Sequence, residues 1–559
     1  MSLTNRLLTV ASLIGFSTVS CHAIAQAVPP AVDPGLLQRE LGSPPELQTP
    51  SPAPLMPQQR PPRPQALSDE RFLLRDVRLV GNERIADDRL RDAFADLLDE
   101  QATLSDLYDI ADAITARYRQ AGFILSQAVV PAQMIDAGVV EIRIVEGFVD
   151  RVEFTDERSA GRGLLSRYAD RLSSSRPLDV VDLERNMLLL NDLPGLVASS
   201  SVGRSADGGL GAARLRLSTV HDPVEGSVAV NNRGSERVGP GRLDASIRFN
   251  LQARPYPQFG IRALVATDSD ELGLFSTFAD IGVGSSGSRL RLSISTLRSE
   301  PDIGFEAFDD LETTGTTLEA TWSRPLFRSR LTNRYLTLGF KAFDSQTEGQ
   351  AVGDQLGTDD ETKTRQVMLG LRFDHVDSGL GVNQLQLSLS QGIDGLGASD
   401  SRAQGEPKEL DFTTLSLYAA RLQSFGGRAS VLLAATGQAS LRGDNPPTSE
   451  TFGVGGEGFV RGYDASEITG PSGAALKLEA RYAIPPLARL RMTPYGFYDI
   501  GSVVDGFDAR TSLSSAGAGL RFRGGALGGY AEYAVPLDGD VSAERSDDPR
   551  FFAGLSINF

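Results

Sequence analysis

The chain has 559 residues, too many for one compact core, so several domains are expected. Its formal net charge of -17 excludes a nucleic-acid binder, which needs clustered Lys and Arg, and equally a protein held to an anionic membrane by a basic face. Glycine is abundant at 58 residues and tryptophan occurs once, a composition that suits strands and turns better than packed helices.

The N-terminus reads as a secretory signal. Arg6 supplies a positive start, Leu7 to Val19 a short apolar run, and Ala23-Ile24-Ala25 the small-x-small cleavage pattern. Residues 1–25 are therefore expected to be removed after Ala25. The run is too short for a membrane anchor, which needs about 20 apolar residues. A lipoprotein site at Cys21 is disfavoured, because Thr18 stands where such a site wants leucine. Cys21 is the only cysteine, so the mature chain has no disulfide and no thiolate site. No later stretch has the apolar length of a spanning helix. What remains is a soluble exported protein or a β-barrel, whose strands give a weaker hydropathy signal.

From Gln26 to about Glu70 the chain is rich in Pro and Gln, and the run Pro50 to Pro64 reads as an extended linker. Leu36 to Leu41 could form a short helix, unstable in water unless it docks on something. From Phe72 the texture changes. Leu74, Val77, Leu79 and Val80 suggest a strand. Leu90, Phe94 and Leu97 repeat at helical spacing, and Leu107, Ile110, Ile114 and Tyr118 mark a second helix with Ser105 as candidate N-cap. Phe123 to Val130 and Val139 to Val145 then read as strands. The order recurs: strand Val149 to Phe154, helices Leu164 to Leu172 and Asp182 to Leu190, a break at Asp192-Leu193-Pro194-Gly195, then strands Val197 to Val202 and Ala213 to Leu217. Two tandem copies of one small α+β unit are the simplest account.

From about Val224 to Phe559 strict alternation takes over. Leu290, Leu292 and Ile294 alternate with Arg291, Ser293 and Ser295. Leu476, Leu478 and Ala480 alternate with Lys477, Glu479 and Arg481. Runs of about ten residues match tilted membrane-spanning strands, where a soluble sandwich favours about five or six. The last run places Ala553, Leu555, Ile557 and Phe559 on one face, and the final aromatic resembles the assembly signal of outer-membrane proteins.

Enzyme chemistry lacks an inventory. The three histidines are His22, His221 and His375, the first of them inside the signal. A Ser-His-Asp set or a histidine-bound zinc would rest on two distant residues. No phosphate-binding loop or nucleophile elbow occurs. The acid pairs Asp309-Asp310 and Asp359-Asp360 read as solvated loop charge. The reading is no enzyme, no cofactor and no metal.

Three stretches carry a family resemblance: Val130-Pro131-Ala132-Gln133 leading to Gly138 through Gly147, Leu190-Asn191-Asp192-Leu193-Pro194-Gly195, and Phe459-Val460-Arg461-Gly462-Tyr463. In these the chain resembles the TpsB transporters of two-partner secretion, the haemolysin and filamentous-haemagglutinin type. The resemblance implies a transmembrane antiparallel β-barrel of about sixteen strands over 223–559, preceded by two α+β POTRA domains at 71–147 and 148–222. It assigns 26–70 to a plug helix and linker. It implies a type V secretion pore in the bacterial outer membrane, with the POTRA domains in the periplasm. The partners implied are a large secreted exoprotein, outer-membrane lipid and the barrel-assembly machinery during biogenesis, with the transporter itself a monomer. The alternatives are an assembly factor for other outer-membrane proteins, for which two POTRA units are few, and a passive porin, which needs no POTRA unit.

The resemblance also gives site residues. Val460, Arg461, Gly462 and Tyr463 form the tip of a long sixth outer loop, and Asp499 on a barrel strand is the lumenal partner of Arg461. Period-two geometry places Tyr495, Phe497 and Asp499 on one face of that strand and Tyr498 on the other. Gly462 is expected to reach positive φ beside the arginine, and Tyr463 to pack on the wall.

Overall fold

A computed structural model of the protein describes residues 33–42, 47, 70–155, 163–205, 208–235, 237–253, 255–267, 271–301, 308–351, 357–403, 407–442, 445–504, 509–538 and 548–559. The signal, including Ala23 and Ala25, and the run Pro50 to Pro64 lie outside these residues.

The two α+β units share one topology. In the first, strand Asp76–Val80 runs parallel to Val139–Val145, which pairs antiparallel with Gln127–Val129. In the second, Phe148–Phe154 runs parallel to Ala212–His221, which pairs antiparallel with Leu196–Arg204. Each last strand is thus central, and helices cover one face. The first core gathers Leu74, Leu90, Ile110, Ile114, Tyr118 and Ile142. The second gathers Leu165, Tyr168, Leu172, Leu190, Leu215 and Leu217.

Local structure departs from the sequence reading in three places. The Leu90–Phe94–Leu97 spacing is met by one helical turn, Asp87–Leu90, and two 3-10 turns rather than a single helix. The chain must swing round there so that Gln101–Ala102 can pair with Phe72–Leu73, and Asp99 adopts a φ of 63° to do so. The next helix, Leu104–Gln120, is capped by Thr103 and not Ser105, in a reciprocal box with Asp106. The Phe123–Val130 run yields a strand only at Gln127–Val129, because Gly122 (φ 96°) and a turn closed by Ser126 N–H donating to the Phe123 carbonyl use the preceding residues.

The Glu146-Gly147 dipeptide fixes the junction of the units. The Glu146 carboxylate accepts from the Tyr118 hydroxyl at 2.8 Å and from the Arg84 N–H at 2.7 Å. Burial and that carboxylate push the Tyr118 phenol above its ordinary range. A β-carbon on Gly147 would lie 2.4 Å from the Leu125 carbonyl oxygen.

The remaining chain forms a closed antiparallel barrel of sixteen long strands. They are β1 (Val224–Asn231), β2 (Arg242–Asn250), β3 (Gln258–Ala266), β4 (Leu272–Val283), β5 (Ser288–Ser299), β6 (Phe308–Arg328), β7 (Thr332–Ala351) and β8 (Thr358–Val376). The second half comprises β9 (Gly381–Gly392), β10 (Thr413–Phe425), β11 (Ala429–Ser440), β12 (Ser472–Tyr482), β13 (Arg491–Val504), β14 (Arg510–Gly524), β15 (Leu527–Pro536) and β16 (Arg550–Asn558). Closure joins β16 to β1 from Gly554↔Asn231 to Asn558↔Ser227. Phe559 extends this seam with two backbone bonds to Gly226, and its ring fills the space a Gly226 side chain would take.

Side-chain alternation sorts the wall. On β5, Leu292 and Ile294 are exposed on the outside, which places Arg289, Arg291 and Ser293 on the lumen side. Asp359 and Asp360 lie on β8 rather than in a loop, the strand being 19 residues long. His375 lies near the end of the same strand, its Nδ1 2.9 Å from the Thr332 hydroxyl, in an ordinary polar role.

The second α+β unit is fastened to the short turns at one end of the barrel. Arg328 grips Asp192 with Nε and Nη2 at 3.0 and 2.8 Å, and Arg330 lies 3.3 Å from Glu184. Gly195 (φ 62°) closes the break in the Asp-Leu-Pro-Gly segment, where a β-carbon would strike the Asp222 carbonyl and Asn250. That segment is seated on the end of β2.

Candidate functional site in the barrel lumen

Helix α1 (Pro34–Leu41) lies inside the barrel. Asp33 caps it, accepting from the Gly35 and Leu36 N–H groups at 2.9 and 3.0 Å. Leu37 packs among Val238, Leu264, Leu272, Leu274 and Leu297. The polar side reaches elsewhere. Arg39 donates to the Thr451 carbonyl at 2.7 Å, Gln38 accepts from Thr317 at 2.5 Å, and Glu40 lies 3.4 Å from Arg242. Glu450, on the turn Thr448–Glu450 that faces the helix, is held by Lys341 at 2.9 Å and Gln366 at 3.1 Å. An eight-residue helix that is marginal alone is thus held by the wall and by the long loop between β11 and β12.

That loop is the sixth outer loop. It folds inward on a short hairpin, Phe452–Val454 paired with Ile468–Gly470. The hairpin packs Val454, Val460, Tyr463 and Ile468 against Ala475, Val503 and Leu513 of the wall. Arg461, at the tip, is 2% exposed. Its guanidinium grips Asp499 with Nε at 2.8 Å and Nη2 at 3.0 Å. Its Nη1 also reaches Glu479 on β12 at 2.8 Å and Glu532 on β15 at 3.1 Å. The guanidinium carbon lies 3.5 Å from the centre of the Phe497 ring. Tyr495, Phe497 and Asp499 are buried on one face of β13, while Tyr498 is exposed on the other.

Two of these carboxylates, Glu479 and Glu532, were not singled out from the sequence. Glu479 also holds Arg481 at 2.6 Å and Arg521 at 2.5 Å. Glu532 holds Arg233 at 2.6 Å and accepts from the Tyr495 hydroxyl at 2.8 Å. The only available signal was that Glu479 sits in the polar phase of an alternating run. No local pattern says that β12, β13 and β15 aim their acids at one point.

The tip's backbone also differs from expectation. Val460, not Gly462, carries the positive φ, 63°. Gly462 is required by closeness: a β-carbon there would lie 2.9 Å from the Ser515 Cβ and 3.0 Å from the Pro536 nitrogen. Tyr463 packs in the hairpin's apolar cluster and donates its hydroxyl to the Asp538 carbonyl at 2.8 Å.

Comparison with known proteins places this architecture. A family model described as haemolysin secretion/activation protein ShlB/FhaC/HecB matches residues 286–522, and one described as POTRA domain, ShlB-type, matches 72–147. The heme/hemopexin transporter protein HuxB of Haemophilus influenzae (strain 86-028NP) is 22% identical over 515 residues, 88% of this chain and 87% of that protein. The outer membrane transporter CdiB of Escherichia coli O6:K15:H31 (strain 536 / UPEC) is 25% identical over 446 residues, 78% of this chain and 74% of that protein. The solved structure of CdiB from Escherichia coli covers 89% of this chain and 93% of its own, with TM-score 0.69 and 20% identity. BamA from Haemophilus ducreyi lacking POTRA domains 1-3 covers 87% of this chain and 100% of its own, with TM-score 0.52 and 11% identity. These two structural likenesses establish the fold alone. With the family matches and the POTRA-plus-barrel architecture, the chain belongs to the TpsB transporters, outer-membrane pores with periplasmic POTRA domains that secrete a partner exoprotein.

Proposed function

We propose that the protein receives its exoprotein unfolded in the periplasm, at the sheet edges of residues 71–147 and 148–222, and passes it as an extended chain through the lumen of 223–559. Arg461 and Asp499, with Glu479 and Glu532, set the position of the sixth loop, and Val460, Gly462 and Tyr463 shape its tip. Helix α1 closes the resting pore. Phe559 serves as the barrel's assembly signal, and removal of the signal peptide follows Ala25. The protein works as a monomer, in lipid, without enzymatic activity.

The observation that carries this reading is a closed barrel whose lumen holds a helix and a clamped loop, joined at its periplasmic turns to the second of two small sheets. A permanently open porin has no use for either lumenal element. Strand Leu196–Arg204 supports capture: it is an edge of nine residues without Pro or Lys, and its outward positions are Val197, Ser199, Ser201 and Gly203. Natural edges are usually blunted by such residues, and an open one favours strand addition by an extended chain. No nucleotide-binding motif supplies energy. Folding of the client outside the cell, which prevents its return, is the proposed driving force.

A photo-crosslinking residue at Ser199, and another at the lumenal Ser293, test the path in cells exporting the exoprotein. Adducts with the exoprotein are expected at both. Lumenal adducts without any at Ser199 would remove capture from this edge, and no lumenal adduct would reject passage through the barrel.

A further inference from the structure

The lumen is not evenly charged. On β12 and β14, Arg481 and Arg521 face inward and share the single carboxylate Glu479. Two residues further toward the periplasm on β14 stands Arg523, on the same face as Arg521 because side chains alternate. Its direct cross-strand partner is Arg491 on β13. Both are exposed, and among the described residues neither has a hydrogen bond or an ion pair. Like charges directly opposite one another destabilise a sheet pair. Among the described residues nothing pairs with either arginine to offset this one.

Across the lumen the same end repeats the bias. Arg289 holds Asp280 at 2.7 Å, and Arg291 faces the same Asp280 across the strand pair, its guanidinium carbon 3.7 Å from the centre of the Phe278 ring. A basic mouth is notable on a chain with a net charge of -17. A cleft lined by one sign of charge focuses its field and concentrates ligands of the other sign. Guanidinium is also the group best shaped to take carboxylates.

We infer that the periplasmic mouth of the lumen is an electrostatic docking site for an acidic, extended polypeptide segment, and that Arg491 and Arg523 are its open contacts. The inference rests on the reading above that an unfolded client enters here. It adds the chemistry of what enters first: Asp- and Glu-rich chain. Lipid headgroups do not compete for these residues, which face the lumen and not the bilayer.

The test uses fluorescently labelled decaglutamate with the full-length protein in nanodiscs, read by anisotropy. Decaglutamate should bind more tightly than decaserine, with affinity falling as salt rises. R491Q/R523Q should weaken it at least about tenfold, whereas R442Q, on an outer loop, should not. R491K/R523K should restore most of the binding, since charge is kept. Equal binding of decaglutamate and decaserine, unchanged binding by the Gln pair, or a Lys pair no better than the Gln pair would overturn the inference. Secretion of the exoprotein by the unmodified protein is scored separately. Export without charge-dependent binding sinks the docking site and spares the transport reading; no export at all sinks the transport reading instead.

Discussion

Replacing Arg461 by alanine removes one side chain from three carboxylates, yet the loss should fall almost wholly on one. Glu479 keeps Arg481 and Arg521, and Glu532 keeps Arg233 and Tyr495. Asp499, fully buried, keeps of its hydrogen bonds only the longer one from the residue-461 N–H, 3.3 Å in the intact protein, and has Lys477, its cross-strand partner on β12, as the remaining cation. Breaking a buried pair and stranding one charge costs about 3–5 kcal/mol. A lumen that admits water once the loop loosens brings the expected cost to the low end, about 3 kcal/mol. Arg461→Lys should fall between, because an ammonium cannot form the two parallel bonds of the guanidinium. The instructive variant is R461A/D499A. Removing the stranded acid as well should make the double change cheaper than the sum of the singles by about 1–3 kcal/mol. The assay is urea unfolding of the barrel in lipid, followed by the fluorescence of Trp322, the sole tryptophan, on β6. An R461A barrel within about 1 kcal/mol of the parent, together with additive singles, would refute the claim that this pair anchors the loop.

Three further outcomes are expected. Gly147→Ala drives a β-carbon into the Leu125 carbonyl and should destabilise the junction of the POTRA units by about 1–3 kcal/mol, read as faster proteolysis near residue 122 and a lower unfolding midpoint. Leu37→Ala empties part of the apolar seat of α1 at about 2–5 kcal/mol, which exceeds what so short a helix can spare. Planar-bilayer conductance should rise severalfold, and an unchanged conductance would mean that the helix does not close the pore. Thr103→Ala should cost the first POTRA unit about 1 kcal/mol by loss of the cap. The Asp106 carboxyl is held below its usual range by its hydrogen bonds to Thr103, so its stabilisation is present above the ordinary Asp pKa and lost as pH falls through the lowered one. The parent should therefore lose its advantage over T103A on acidification, as thermal melts from neutral to acid pH would show.

What was legible in the sequence followed local rules. The alternation at Leu290–Ser295 and Leu476–Arg481 announced strands because lipid and lumen impose period two. The repeat of strand, helix, helix, strand, strand announced two matching units, and Arg461 was found through its motif. What was not legible depended on distant segments meeting. Glu532 joins the arginine across 71 residues, and the hairpin at Phe452–Val454 that turns the loop inward pairs with Ile468–Gly470 through no recognisable turn sequence. The run at Leu90–Leu97 kept its apolar spacing but not its helix, because tertiary pairing of Gln101–Ala102 overrode local preference. Gly462 had the right identity for a different reason: neighbouring backbone approaches too closely for any side chain, while Val460 takes the strained φ inside an apolar cluster.

The central claim is export of a partner through this barrel. Its most direct test measures the partner exoprotein in medium and periplasm, in cells with the intact protein, with R461A, or with the two POTRA units removed, at equal barrel levels in the outer membrane. The account expects the exoprotein outside only with the intact protein. Export undiminished without the POTRA units, or no dependence on the protein at all, would contradict it.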